Sequence, residues 1–252
     1  VLGVEAAEAL SHLGLPVTIL VRGPRLMERQ LDTVGGRILA EYLSAKRIEV
    51  VLNCAIAGYD GTETIRAVRL ADGREIAADI FVACAGIKPN VELARKAGLA
   101  VGTGIKVDQS MQTSDPHVFA VGDVAEPPEG AGGLWPIAVT QSRIAADTML
   151  GRTRATAPAQ IILRLKSDGI DVHSFGALEG DASSEIFTAR AGSAAWWRVI
   201  VRDDQITGAV YVGPPRSSNA FLKVLKATDK TVAPAIRSSL AAGSLENLEA
   251  AL

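Results

Sequence analysis

The groups best suited to chemistry in this sequence are not a nucleophile and its base but a glycine, a carboxylate and the amino end of a helix. In residues 113–126, TSDPHVFAVGDVAE, the continuous apolar run 118–121 predicts a buried parallel strand, and such strands deliver ligand-binding groups at their carboxyl ends. Gly122 at that end lets the backbone approach a ligand closely, and Asp123 offers a carboxylate to ligand hydroxyls. Further on, GLWPIAVTQSRIAADTML has a breaker-to-helix pattern, with Pro136 near the start and Ile137, Thr140, Ile144, Ala145 and Met149 on one face. Gln141 and Arg143 are expected on its solvated face. The first turns of that helix, around Ile137, Ala138 and Val139, present backbone N–H groups and a partial positive charge suited to a negatively charged ligand edge. The sequence carries no credible Ser-His-Asp or paired-carboxylate constellation, as expected of chemistry done by bound cofactors.

The elements that must position these groups begin with LGVE, which leads into AAEALSHLGL. There Ala6, Ala9, Leu10 and Leu13 recur at helical spacing, and Gly14 closes the helix. Residues 17–21, VTILV, form a short β-branched strand. Helix and strand together read as part of a mononucleotide-binding unit whose first strand and early G-x-G glycines do not precede them. Gly3 aligns with the third glycine of such a fingerprint, the one that permits close packing of helix on strand. A loop over 22–32, a helix over 34–46, a strand over 49–52, a hairpin at Asp72-Gly73 and a buried strand over 79–85 follow. Val21 and Arg22 stand where an acidic residue would accept hydrogen bonds from an adenosine ribose; a guanidinium there would instead pair with a 2′-phosphate, so NAD and NADP both stay open. Glu5 reads either as a ligand contact or as a first-turn acid favoured by the helix dipole.

Pro89-Asn90 marks the exit from this first region, since proline cannot continue a strand and biases Lys88 to an extended form. A helix over 91–97, a strand over 105–107, a flexible EPPEGAGG and the helix from Pro136 come next. From about Thr153, RTRATAPA reads as a linker; strands over 160–165, 170–176, 185–189, 196–201 and 205–213, a turn at Asp203-Asp204, a helix over 219–226 and a helical tail then suggest an α+β domain. Of Trp196 and Trp197, strand alternation sends one to the core and leaves the other for an interface.

The 252 residues suit one large or two to three small domains, and at 48% apolar content the chain is expected to fold. With 26 basic against 28 acidic residues, no electrostatic case exists for a nucleic-acid or membrane-surface partner. No apolar run reaches the roughly 20 residues of a bilayer span and no signal pattern opens the sequence, so the expected location is cytoplasmic. Cys54 and Cys84 read as small buried fillers, with a disulfide between them left open. His12, His117 and His173 lack metal-ligand spacing, and no metal site is expected.

The Gly122-Asp123 segment, the start around Gly3 and Glu5, and the stretches GPRLMERQLD and GIKPN resemble the pyridine nucleotide-disulfide oxidoreductase superfamily. The likeness is strongest to the branch of rubredoxin reductases and assimilatory nitrite reductase flavoproteins. TGAVYVGP and GIDVHSFGAL are similar to the small C-terminal domain of that branch. The resemblance implies an α/β fold with an incomplete Rossmann-like NAD(P)-binding domain over 1–88 that lacks its first strand. The returning part of an FAD-binding domain over 89–152 and a C-terminal α+β domain over 153–252 follow it. The implied cofactors are FAD and NAD(P)H. Asp123 would hold a ribityl hydroxyl, Glu5 would lie near the nicotinamide carboxamide, residues 137–139 would face the flavin pyrimidine edge, and Gly86 would belong to the cofactor-binding set with Val21 and Arg22. Trp135 would lie beside the ring or pack at a domain interface. The implied activity is hydride transfer from a nicotinamide to flavin and electron delivery to an acceptor: a rubredoxin- or ferredoxin-like carrier, a nitrite-reducing centre, or oxygen. An upstream segment of roughly 150 residues, carrying a G-x-G-x-x-G, is expected to complete the FAD domain; without it the chain should be inactive. Two competing readings remain. One is a non-catalytic fragment or partner-binding module that holds no flavin by itself. The other is a single-dinucleotide dehydrogenase, which would make Asp123 incidental and offers no substrate acid-base residues.

Overall fold

Helix α1 (Leu2–His12) ends as its glycine requires: Gly14 takes φ +81° and donates to Ser11 O at 2.9 Å, while Leu15 N–H reaches Leu10 O at 3.3 Å. These two bonds satisfy carbonyls that the last turn would otherwise leave open. The buried face is Val4, Ala7 and Glu8, whereas Leu13 is 75% exposed and Ala9 also faces solvent. Helical spacing allowed either face; the neighbours chose, with Ser167 donating to Glu8 and Lys46 standing 3.8 Å from the same carboxylate. The computed structural model describes residues 1–128, 133–152, 162–191, 195–227, 232 and 234–243. Residues 129–132 of EPPEGAGG, residues 153–159 of RTRATAPA, the start of the strand expected from 160, and the tail beyond 243 lie outside the described residues.

β1 (Val17–Leu20) and β2 (Ile48–Val51) pair in parallel from Val17 with Ile48 to Leu20 with Val51. α2 (Thr33–Ala45) makes the crossover that parallel pairing demands. Asp32 starts α2 from the loop side, its Oδ1 accepting the Gly35 N–H at 2.8 Å. β3 (Ile56–Asp60), β4 (Ala67–Leu70) and β5 (Glu75–Ala77) form an antiparallel sheet in that order, and Gly73 turns β4 into β5 with φ +89°. Val68 and Leu70 of this sheet pack on the buried Cys54. The buried strand expected over 79–85 does not form. Its backbone meets no ladder partner among the described residues, Ile80 and Val82 are 64% and 51% exposed, and Cys84 is exposed. An apolar run becomes a buried strand only when neighbours pair its edges and cover its faces.

The segment Ala85–Ile161 is a compact unit of its own. It contains α3 (Glu92–Lys96), a short parallel pair of β6 (Ile105–Lys106) with β7 (Ala125–Glu126), and α4 (Trp135–Met149). The strand expected over 118–121 shrinks to one bridge between Gln112 and Phe119, and Val118 is 38% exposed. Ala120, with Phe119 and Val121 packed beside it, shares a core with Val107, Met111 and Ala145. That burial accommodates the apolar run without a ladder. Met149, expected on the buried face of α4, is 61% exposed because it lies at the end of the helix, beyond the Ala145 contact.

The other unit joins Val1–Cys84 with Ile162–Leu252. Its second part is an antiparallel sheet of β8 (Leu163–Lys166), β9 (Asp171–Gly176), β10 (Glu185–Ala191), β11 (Ala195–Arg202) and β12 (Gln205–Gly213), in the order β10-β11-β12-β9-β8, followed by α5 (Pro215–Ala227) and α6 (Pro234–Ala241). Asp203 and Asp204 turn β11 into β12 with φ of 49° and 59°. Both faces of this sheet are covered. Trp197, Val199 and Tyr211 pack with Phe221, Leu225, Ile236 and Leu240 on one side; Val172, Val210 and Val212 pack with Val4, Leu39 and Leu43 on the other. Hence β12 is buried almost throughout.

Polar contacts fasten the same seam. Tyr42 and Ser167 hydroxyls lie 2.8 Å apart, and Lys46 Nζ donates to Asp168 O at 2.7 Å. Burial opposes the Lys46 charge, yet Tyr42, Asp168 and Glu8 outweigh it and hold the ammonium pKa above its ordinary value. Of the tryptophan pair, Trp197 is the one sent to the core, at 1% exposure, and Trp196 donates its indole N–H to Asp32 Oδ2 at 3.0 Å. Its interface therefore lies within the chain.

Candidate functional site

In the unit containing α1, Gly3 lies in the first helical turn, where a Cβ would sit 3.3 Å from Cys84 Cβ. The helix thus packs tightly against Cys84, and a larger side chain at Gly3 would force them apart. Glu5, two residues further along, is half-buried. Val21 extends the β1–β2 ladder by one step, its N–H donating to Val51 O at 2.8 Å and its carbonyl accepting from Cys54 N–H at 3.0 Å. Arg22 then points into solvent and has no partner among the described residues. The loop beyond is firmly held: Leu26 and Leu31 are buried, and Arg25 donates to the carbonyls of Leu31 and Glu28 at 2.9 and 3.3 Å.

In the other unit, Gly122 takes φ +76° and opens a 3-10 turn spanning Gly122–Val124. Its N–H donates to Gln141 Oε1 at 2.6 Å, and a Cβ at Gly122 would lie 3.5 Å from Ala138 Cβ. The Gly-Asp pair therefore rests on the first turns of α4, which also carry Ile137 and Val139. Asp123 is exposed, and its carboxylate has no partner among the described residues, so it is available to ligand hydroxyls. Gln141 overturns the expectation of a solvated side chain: it is 5% exposed. Its signal was positional, since it stands four residues after Ile137 and four before Ala145, on the same helical stripe.

The donors at the start of α4 are fewer than expected. Leu134 O accepts both the Ile137 N–H at 3.0 Å and the Ala138 N–H at 3.2 Å, and Pro136 has none to give. Only the first three helical amides lack an i−4 partner, and Val139 lies beyond them. The Trp135 amide is the first turn's uncommitted donor among the described residues, and the Trp135 ring is 81% exposed. Gly86, with φ +98° and open space around it, makes an exposed bend in this same unit.

The expected residues therefore fall into two sets, Gly3, Glu5, Val21 and Arg22 in one unit and Gly86, Gly122, Asp123, Ile137, Ala138 and Val139 in the other. Among the described residues no group of three or more His, Cys, Asp or Glu could hold a metal, and no helix is long and apolar enough to cross a membrane. Cys84 is exposed rather than buried because the 79–85 segment that carries it forms no strand; it and Cys54 are both free thiols.

Comparison with known proteins gives two family matches. Residues 1–142 match the family described as pyridine nucleotide-disulphide oxidoreductase, and residues 162–228 match the rubredoxin NAD+ reductase C-terminal domain. Among curated relatives, nitrite reductase [NAD(P)H] of Bacillus subtilis is 33% identical over 229 residues, covering 89% of this chain and 28% of the relative. The benzene 1,2-dioxygenase system ferredoxin–NAD(+) reductase subunit of Pseudomonas putida is 33% identical over 221 residues, covering 85% and 53%. The chain thus spans less than a third of the nitrite reductase and about half of the ferredoxin reductase. Among solved structures, the ferredoxin reductase for the CYP199A2 system of Rhodopseudomonas palustris superposes with a TM-score of 0.80 at 23% identity, covering 99% of this chain and 62% of that one.

Proposed function

Because this chain belongs to the pyridine nucleotide-disulphide oxidoreductase family, we propose that it is part of an FAD-dependent NAD(P)H oxidoreductase that passes electrons from a nicotinamide cofactor to a redox acceptor, either a rubredoxin- or ferredoxin-like carrier or a nitrite-reducing centre. Residues 1–88 serve as nicotinamide-dinucleotide region, 89–152 as part of the FAD region and 153–252 as the C-terminal region. One observation carries the reading: an uncommitted, exposed carboxylate, Asp123, follows a left-handed glycine that Gln141 ties to the amino-terminal part of α4.

Those features fit a flavin nucleotide. Asp123 accepts hydrogen bonds from ribityl hydroxyls, and Gly122 keeps side-chain bulk away from the ligand. The amino end of α4 favours negative charge at the pyrimidine edge through its dipole and the Trp135 amide, rather than through the engaged amides of Ile137 and Ala138. Close packing at Gly3 fits the approach of α1 to a dinucleotide, with Glu5 oriented toward the nicotinamide carboxamide and Val21, Arg22 at the ribose end. Bound FAD supplies the hydride-accepting and electron-passing chemistry; the protein's task is to align the rings and exclude water.

Purification of the native-length protein tests this. Flavin absorbance is expected in the wild type, and Asp123→Ala should weaken flavin retention by on the order of tenfold, the loss of a charged hydrogen bond. A native-length protein that binds no flavin under any reconstitution overturns the reading.

A further inference from the structure

Beyond Arg22, β1 runs into Gly23, whose carbonyl accepts the Asn53 N–H at 3.0 Å and so keeps the residue in line with the strand end. A Cβ at Gly23 would lie 2.2 Å from Glu28 Oε2 and 3.3 Å from Glu28 Cδ. The Glu28 carboxylate therefore lies directly over the Gly23 backbone, in space that only glycine leaves open. The end of β1 lacks an acid of its own, and a carboxylate five residues beyond Gly23 covers that glycine just past the strand.

The loop that presents Glu28 is held in place at several points. Leu26 and Leu31 flank it in the core at 3% and 0% exposure, Met27 O accepts the amides of Gln30 and Leu31 at 2.7 and 2.9 Å, and Arg25 grips the carbonyls of Leu31 and Glu28. Arg25 is thus spent on the loop. Glu28 itself is exposed, and among the described residues its carboxylate has no hydrogen-bond or ion-pair partner. Its backbone is held in position while its carboxylate remains free to bind something else.

We propose that Glu28, placed over Gly23, supplies the acceptor for the 2′-hydroxyl of an adenosine ribose at the end of β1, making the site selective for NAD(H) over NADP(H). A carboxylate accepts a hydrogen bond from a free 2′-hydroxyl and repels a 2′-phosphate. The opposing groups are the exposed guanidiniums of Arg22 and Arg29, which would favour the phosphate. Glu28 prevails because its oxygen lies over the Gly23 backbone just past β1, whereas Arg22 is exposed and has no partner among the described residues. The inference rests on the nicotinamide-dinucleotide reading above.

The test is equilibrium binding of NAD+ and NADP+ to the native-length protein by calorimetry, with no turnover required. Wild type should bind NAD+ the more tightly. Glu28→Gln should weaken NAD+ by on the order of tenfold, the scale of a charge-assisted hydrogen bond, while leaving NADP+ equal or tighter. Gly23→Ala is the second variant: its backbone needs no positive φ, so it should fold, and its methyl displaces the carboxylate without removing it. It should reproduce the Glu28→Gln ratio. Preference for NADP+ in the wild type, or an unchanged NAD+/NADP+ ratio in both variants, overturns the role of Glu28 while leaving the dinucleotide reading standing. Binding of neither nucleotide overturns the dinucleotide reading, and this inference with it.

Discussion

Replacing Asp32 with Ala should loosen the seam between α2 and the C-terminal sheet more than any other single polar change there. The side chain is 3% exposed and both oxygens are engaged, Oδ1 with the Gly35 N–H at 2.8 Å and Oδ2 with the Trp196 indole at 3.0 Å; Arg198 Nε stands 3.6 Å from the latter. Loss of an N-cap costs about 1 kcal/mol. Leaving the indole N–H without its acceptor costs about 1–3 kcal/mol more, so the total is about 3 kcal/mol. Asp32→Asn separates the two terms: asparagine caps as well as aspartate, but its amide then turns a donor toward a donor, and about 1–3 kcal/mol should be lost. Trp196→Phe removes the donor with most of its packing retained and should cost about 1 kcal/mol. Since the chain forms two compact units, urea unfolding is best followed by Trp197 emission in a Trp135→Phe background, which reports on the unit containing Asp32. An Asp32→Ala loss below about 1 kcal/mol, or an Asp32→Asn variant as stable as wild type, refutes this account of the seam.

Three further outcomes are expected. Gln141→Leu keeps the volume in α4 but leaves the Gly122 N–H without its acceptor, which should destabilise the Ala85–Ile161 unit by about 1–3 kcal/mol and weaken flavin retention in parallel; loss of neither removes Gln141 from the site. Cys84 should react with a thiol reagent in the native state while Cys54, 4% exposed, reacts only on unfolding; equal rates contradict the exposed 79–85 segment. The Ser183 and Ser184 hydroxyls and the Ser183 amide, with Arg202 beside them, hold Asp181 down to about 2 from its ordinary 3.8. A depressed carboxylate stabilises the fold fully above its unfolded value and loses that contribution as pH falls toward about 2, so a carboxyl NMR titration should have its midpoint there, and a midpoint near 3.8 refutes the turn geometry.

Much of the element order was legible because it is local. Gly14 and Gly73 marked a helix end and a hairpin, and Asp203-Asp204 marked the turn between the runs over 196–201 and 205–213 that read as two strands of the C-terminal sheet. The candidate site was legible to the same degree: Gly122-Asp123 and the breaker before α4 are visible as residue types in order. The burial of Gln141 was legible only as its place on the Ile137–Ala145 stripe; its partner was not, because the Gly122 amide meets it only in the folded unit. Nor was Glu28, five residues past Gly23, since the space it occupies exists only once the loop folds back over that glycine.

The sequence by itself determined where most helices and turns occur, through spacings and backbone preferences that act within a few residues, but not which apolar runs become strands. The tertiary structure alone decided which faces and edges found partners. It left Ile80, Val82 and Cys84 exposed despite their apolar pattern, buried Glu8 in place of Leu13, and sent Trp196 to an aspartate 164 residues away, joining the two ends of the chain in one unit. Periodicity is written into the local chain, whereas burial and pairing depend on groups brought together from distant positions, and those contacts exist only in the folded molecule.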